Sequence, residues 1–284
     1  MASPGLQGEP QGARASRKRP YTINSIEKAV RVLQAFTKDH PERSVSELSR
    51  ELGWHKAVVH KILLTLQDGR LLQQDPSSRR YRLGPGVMEL AGVFQSEEPL
   101  IREGTPLLRD LMRRSGHTAA MAVLDGMEVL YIATIEGAEG LRMTARVGDR
   151  RPAHATASGK VLLADLPPDV LDRLISGPLP ALTPHTIVDP WRLRQHLEVV
   201  RRAGYALNVE ERIAGMVGVA APVRDHHGTT VAAVSMGFAR HLHGDDAIAK
   251  AVRRVIETGN ELSRRLGAPP GRLVAQPGGQ LLPV

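Results

Sequence analysis

The chain has 284 residues, 42% of them hydrophobic, enough for about two domains with cores of their own, and its lack of cysteine excludes disulfides, thiolate catalysis and cysteine-type zinc sites. No apolar run approaches the ~20 residues of a membrane span, and the N-terminal MASPGLQGEPQGARASRKRP lacks the hydrophobic stretch of a secretory signal, so a cytoplasmic location is expected. Net charge is +8, of which residues 1–84 carry +7 (15 Lys/Arg against 8 Asp/Glu), so a polyanionic partner is expected for the first third alone.

Residues 1–20 are rich in Gly, Pro, Ala and Arg without hydrophobic period, and are expected to be disordered. Asn24 is expected to begin a first helix with Glu27 as its capping-box partner; Ile26, Ala29, Val30 and Leu33 recur at helical spacing until Asp39, His40 and Pro41. Ser44 and Glu47 form a second capping box ahead of Val45, Leu48 and Leu52, and Gly53 supplies a tight turn. A third helix is expected over 55–68, with Val59, Ile62, Leu63 and Leu66 as its core stripe. Strands at 71–74 and 79–83 flank the turn Asp75-Pro76-Ser77-Ser78, and 87–95 reads as a short amphipathic linker helix.

Three helices followed by a basic hairpin are the layout of a winged helix-turn-helix, which lays one helix in the DNA major groove. Such a helix needs small or polar side chains outside and apolar anchors behind. The third helix has Ala57, His60, Lys61 and Leu64 on one face, flanked by Val58, and its core stripe on the other. The expected DNA contacts are Ser44, His55, Lys56, Ala57, Val58, His60, Lys61, Arg79 and Arg80. Arg82, and Arg14, Arg17, Lys18 and Arg19 of the tail, add salt-sensitive attraction.

From residue 100 the pattern is mixed α/β. Helices are expected at 100–114, 158–165, 168–176, 190–203 and 245–266, and strands at 118–124, 128–135, 140–147, 205–209, 218–224 and 230–238. Gly267 caps the last helix, and a Pro/Gly-rich tail follows. Catalytic signals are weak. Ser158-Gly159-Lys160 lacks the rest of a phosphate loop, no G-x-S-x-G frames a nucleophile, and His226-His227 and His241-x-His243 sit in loops without a carboxylate set. No metal, cofactor or enzymatic activity is expected. The rival readings are a small-molecule enzyme tethered to DNA and a ligand-free architectural protein.

The sequence resembles the IclR family of bacterial transcriptional regulators from Ile23 to Leu266. The marks are SIEKAVRVL, LGWHKAVVHKILLTL and RRYRLGPGVMELA in the first part, then VGDRRPAHATASGKVLLA, GYALNVEE, GVAAPVRDHHG and VAAVSMG. The resemblance implies an α+β chain: a disordered basic tail (1–20), a winged helix-turn-helix DNA-binding domain (21–84), a linker helix (85–97), a GAF/PAS-like effector-binding domain (98–267) and a disordered tail (268–284). It implies a regulator, usually a repressor, of a small-molecule metabolic operon. It also implies dimers through the DNA-binding domains and linker helices, sometimes paired into tetramers. By motif position the effector site comprises Met143, Ala157, Ser158, Asn208, Gly218, Ser235 and Gly237. The backbone N–H groups of 157–158, the hydroxyls of Ser158 and Ser235 and the amide of Asn208 suit a small polar ligand.

The chain departs from the family in two places. His55-Lys56-Ala57-Val58-Val59-His60-Lys61 stands where relatives often have Pro-Lys-Ser-Thr and then Val-His-Arg, which changes the expected base readout. Asn208, Gly218 and Gly237 stand where relatives often have Asp, Cys and Ser. The expectation is a wider pocket and a ligand unlike the small keto acids of some relatives.

Overall fold

A computed structural model describes residues 23–137, 145–240 and 244–277. Contacts divide the chain into two compact units, with the division between Phe94 and Gln95. The tail cations Arg14 to Arg19, Met143 and the pair His241/His243 lie outside the described residues.

In the first unit, α1 (Asn24–Gln34), α2 (Val45–Leu52) and α3 (Lys56–Asp68) pack on a three-stranded sheet of β1 (Glu42–Arg43), β2 (Leu72–Gln74) and β3 (Tyr81–Leu83), in the order β1-β3-β2. Val32, Phe36, Leu48, Val59, Leu63, Leu66, Leu72 and Tyr81 form the core. Asn24 is not the cap expected for α1. Ile23 occupies that position in extended conformation, its carbonyl accepts from Glu27 N–H at 3.0 Å, and no side chain caps the helix. The helix also stops at Gln34, before Asp39, because Thr37 and His40 exchange backbone hydrogen bonds in a turn that delivers Glu42 and Arg43 to the sheet edge. A two-residue strand leaves no periodic trace, so β1 is invisible in the sequence. The second capping box forms on both sides: Glu47 N–H donates to Ser44 Oγ, and Ser44 N–H donates to the Glu47 carboxylate. Gly53 closes α2 at φ +70°, a conformation that costs a residue with a Cβ about 1–2 kcal/mol. The linker helix α4 spans Gly86–Glu97.

The second unit is a six-stranded antiparallel sheet between two helical layers. Its strands are β4 (Thr118–Asp125), β5 (Glu128–Ile135), β6 (Arg150–Pro152), β7 (Ala206–Val209), β8 (Met216–Arg224) and β9 (Thr230–Ala239), in the order β6-β5-β4-β9-β8-β7. On one face lie α5 (Pro99–Ser115) and α9 (Asp245–Arg265); on the other lie α6 (Ala157–Ala164), α7 (Pro168–Ile175) and α8 (Pro190–Ala203). Side chains alternate across a strand, so Val219, Ala221 and Val223 of β8 and Val234 and Met236 of β9 face the α5/α9 layer. Ala220 and Ala233 face α6. The same alternation puts Gly218, Ser235 and Gly237 on the α6 side. The strand expected at 140–147 is not seen where it is described: 145–147 are irregular, and β6 follows them.

α6 presses on the short 3-10 turn Ala153–Ala155 so closely that a Cβ at Gly159 would overlap the backbone of Ala153. Every residue of α6 is buried. That includes Lys160, whose ammonium is fully enclosed, donates to the Leu207 carbonyl at 3.3 Å and forms an ion pair with Glu211.

Candidate functional site

The first candidate site is the outer face of α3. Ala57, His60, Lys61 and Leu64 are exposed, while Val59, Leu63 and Leu66 are buried. The two stripes share the i, i+3, i+4, i+7 spacing and are offset by two residues, about 200° around the helix at 3.6 residues per turn. His55 and Lys56 are exposed at the helix start, where His55 is the N-cap but its side chain makes no capping bond. The turn into α3 is braced from behind. Ser49 Oγ donates to Trp54 O at 2.6 Å, and the Lys28 and Arg31 cations of α1 lie 5.6 and 5.0 Å from the Trp54 ring centre.

The wing arginines divide into two roles. Arg79 is exposed at the end of the turn with φ +56°, held there by its N–H donating to Asp75 O at 2.9 Å. Arg80 turns inward. Its guanidinium donates to both Glu47 oxygens, at 2.9 and 2.7 Å, and to Glu42 O at 3.1 Å. Ser44 is likewise occupied by the cap of α2. Arg80 therefore holds the wing against α2 and Ser44 caps that helix, and Arg79 and Arg82 present the exposed charge.

The Ser44 N–H and the Arg80 guanidinium bring the Glu47 carboxyl down to about 2. A carboxylate with a folded pKa below its usual 4.5 contributes stability above pH 4.5 that is lost as pH falls toward 2. With Trp191→Phe leaving Trp54 as the only fluorophore of its kind, acid unfolding of the first unit should be shallower between those limits in Glu47→Gln, and the variant should be less stable at pH 7. Superimposable acid limbs would refute this.

The second candidate site is a cavity of about 250 Å³ in the second unit, between the sheet and the start of α6. Ala157, Ser158, Asn208, Gly218, Ser235 and Gly237 all line it. They come from α6, β7, β8 and β9, and strand register explains how: Gly218 lies opposite both Asn208 and Gly237, and Ser235 opposite Ala220. Thr156 caps α6, its hydroxyl accepting from Gly159 N–H at 3.1 Å, and Ala157 and Ser158 of the first turn line the cavity.

Asn208 lines the cavity and also braces its wall. Its amide donates to Ala155 O, and its Oδ1 accepts from Glu211 N–H at 3.1 Å, so it ties β7 to the turn before α6. Thr183 and Thr186 hydroxyls donate to the carbonyls of Glu210 and Glu211, at 2.7 and 2.6 Å, fixing the same bend from outside. Burial lowers the Lys160 pKa and raises that of Glu211, each against the pull of its partner. Burial, and after it the Lys160 charge, lowers His196 to about 4.

Sequence reasoning missed Tyr131, Arg151, Thr156, Arg212, Ile213, Met216 and Met236 of the lining. Arg212 and Ile213 come from the bend between β7 and β8, Met216 from the start of β8, Tyr131 and Met236 from within β5 and β9, Arg151 from β6 and Thr156 from the cap of α6. Burial raises the Tyr131 phenol pKa, opposed by the charge of Arg212 and a hydrogen bond with Ser158.

Gly218 sets the cavity's width. A Cβ there would sit 3.6 Å from Asn208 Cβ and 3.7 Å from Ala157 Cβ, ordinary contacts that require no backbone shift. Gly218→Val should therefore fold with a stability change of about 1 kcal/mol or less while filling the space. A crystal structure of the variant with the cavity still open would contradict this.

Among the described residues, no group of three or more His, Asp or Glu is placed to hold a metal ion, and no helix is long and apolar enough to cross a membrane.

Both units have counterparts among known proteins. Residues 25–76 match the family model of the IclR helix-turn-helix domain, and 94–264 match that of the bacterial transcriptional regulator IclR C-terminal domain. The HTH-type transcriptional regulator XynR of Escherichia coli is 34% identical over 87% of this chain and 98% of its own length. The HTH-type transcriptional repressor AllR of Klebsiella pneumoniae is 32% identical over 87% and 91%. The crystal structure of an IclR homologue complexed with 4-hydroxybenzoate, from Microbacterium hydrocarbonoxydans, aligns with a TM-score of 0.77 at 27% identity, covering 86% of this chain and 99% of that one. An N-terminal helix-turn-helix domain followed by the α/β C-terminal domain of these regulators makes this chain a DNA-binding regulator. It belongs to the IclR family of bacterial transcriptional regulators.

Proposed function

We propose that the chain represses an operon of small-molecule metabolism, and that a small organic ligand in the 250 Å³ cavity sets its affinity for the operator. The observation that carries this reading is the cavity itself: six residues scattered from 157 to 237, marked by the family resemblance, line one space. A relative of the same fold is complexed with 4-hydroxybenzoate, and another is a transcriptional repressor.

On the DNA side, α3 enters the major groove with Ala57, Val58 and His60 toward base edges, while Lys56, Lys61 and Arg79 take phosphates. The open N-terminus of α3 adds backbone N–H groups for a phosphate oxygen.

The protein acts as a dimer built through its first unit. Ile23, Ile26 and Val30 of α1 and Met88, Leu90, Val93 and Phe94 of α4 are exposed, an excess of apolar surface that water alone does not tolerate well in so small a unit. Two copies place two recognition helices at half-sites about one DNA turn, ~34 Å, apart. A ligand that favours one arrangement of the pair by 1.4 kcal/mol changes operator affinity about tenfold.

The test is operator selection from random duplexes followed by binding with and without ligand, alongside sedimentation of the free protein. Sequence-selective binding by a dimer, weakened at saturating ligand, is the expected outcome. Binding that is indifferent to a ligand known to occupy the cavity would refute the coupling.

A further inference from the structure

The helix α3 ends in a turn that also carries the linker helix. Arg70 N–H donates to Gln67 O at 2.8 Å and Leu71 N–H to Leu66 O at 2.9 Å, the paired bonds of a Schellman ending. Such an ending puts the first residue past the cap in the left-handed region, where glycine is the usual choice. Here that residue is Arg70, at φ +60°. A side chain kept in a strained backbone position points to a role for the residue beyond the turn itself.

Both the carbonyl and the guanidinium of Arg70 reach α4. Arg70 O accepts from the N–H of Gly86, the first residue of that helix, at 2.9 Å, and the guanidinium pairs with Glu89 in the same first turn at 2.9 Å. Two glycines allow so close an approach. A Cβ at Gly84 would overlap Arg70 O, and one at Gly86 would lie 2.9 Å from that oxygen and 3.0 Å from its carbon. Gly86 is buried, whereas Met88, Leu90, Val93 and Phe94 farther along are exposed. The first unit thus grips the linker helix at its start, on the turn that ends α3.

We infer that Arg70 is a positioning residue: its carbonyl and its pair with Glu89 fix the direction in which α4 leaves α3, and with it the half-site separation that two joined copies select. The inference rests on the proposed dimer, whose apolar surface includes α4. Leverage sets the scale. The 12 residues of α4 span ~18 Å at 1.5 Å per residue, so a tilt of ~10° at the start moves the far end by ~3 Å, close to the ~3.4 Å step of one base pair. The Gly86 bond holds the start of the helix, and the exposed pair with Glu89 trims its angle. An exposed ion pair is weak, but a dimer has two such joints and counts each change twice.

The test is fluorescence anisotropy of the full chain on duplexes carrying one copy of the selected half-site, or two copies at centre-to-centre spacings of about 8 to 13 base pairs. The wild type should prefer one spacing by about tenfold over those two base pairs away. Arg70→Glu sets two carboxylates together and should flatten that preference to about threefold or less, and the exchange Arg70→Glu/Glu89→Arg should restore it. Arg70→Gly suits the left-handed turn, so it should melt at or above the wild-type temperature and still lose part of the preference. Gly86→Ala pushes the start of α4 off Arg70 and should move the optimum by about one base pair. All four should bind the single half-site within about threefold of wild type, because the outward face of α3 is untouched. Variants that keep the wild-type optimum and preference overturn the joint and leave the dimer standing. Equal losses on single and double sites make Arg70 a part of the fold or a phosphate contact, and overturn the positioning role. A wild type that binds two half-sites no tighter than one at every spacing overturns the dimer, and the joint with it.

Discussion

Lys160→Met is expected to destabilise the second unit by about 3–5 kcal/mol, measured by urea or thermal unfolding of the full chain. The ammonium is fully enclosed and the facing carboxylate nearly so, 0% and 10% exposed. Methionine keeps most of the volume, so the loss comes from electrostatics: Glu211 is left as a buried charge without its cation. One Glu211 oxygen already lacks a hydrogen-bond partner, so nothing nearby replaces the ammonium. The double change Lys160→Met/Glu211→Leu should recover most of the loss, because an apolar pair of similar size costs no desolvation of charge. Domain stabilities are of order 5–15 kcal/mol, so the single variant should shift the unfolding midpoint far outside error. A loss below about 1 kcal/mol would show that the pair is solvated and does not anchor the bend carrying Arg212.

Lys61→Glu is the change expected to harm DNA binding most, by about a hundredfold at moderate salt, with no change in melting temperature. Lys61 is exposed on the outward face of α3, so its removal disturbs no core. A lysine on phosphate contributes through release of condensed counterions, and its loss lowers the slope of log affinity against log salt by about 0.9. Glutamate adds repulsion from the same phosphates. Lys61→Ala should show the slope change with a loss nearer tenfold. Arg80→Ala makes the useful contrast. Its guanidinium is spent on Glu47 and the Glu42 carbonyl, so it should lower the stability of the first unit first, and affinity only through the loosened wing. Fluorescence anisotropy on one selected duplex across a salt series distinguishes these. Wild-type affinity and slope in Lys61→Glu would remove α3 from the groove.

Much of the first unit was legible because its signals are local. The Ser44/Glu47 box, Gly53 at positive φ and the 59/63/66 stripe are interactions within one turn or one helix, and the structure has all three. The same locality misled at Asn24, where a good capping residue lies one position inside the helix and Ile23 holds the cap position instead. In the second unit, periodicity located most helices and strands to within a residue or two. The family resemblance picked Ala157, Ser158, Asn208, Gly218, Ser235 and Gly237, all on the cavity wall. It did not show that the Asn208 amide also bonds Ala155 and Glu211.

By itself the amino-acid sequence determined the order of the helices and the longer strands, the outward face of α3 and the concentration of positive charge in the first third, since helix period, capping and composition act over a few residues. Only the tertiary structure decided which charges are spent and which are offered. Arg80 meets Glu47 across 33 positions, Lys160 meets Glu211 across 51, and Arg151 and Arg212 line one cavity from segments far apart in the chain. Such pairings depend on strand order and sheet curvature, which bring together side chains that no local pattern connects.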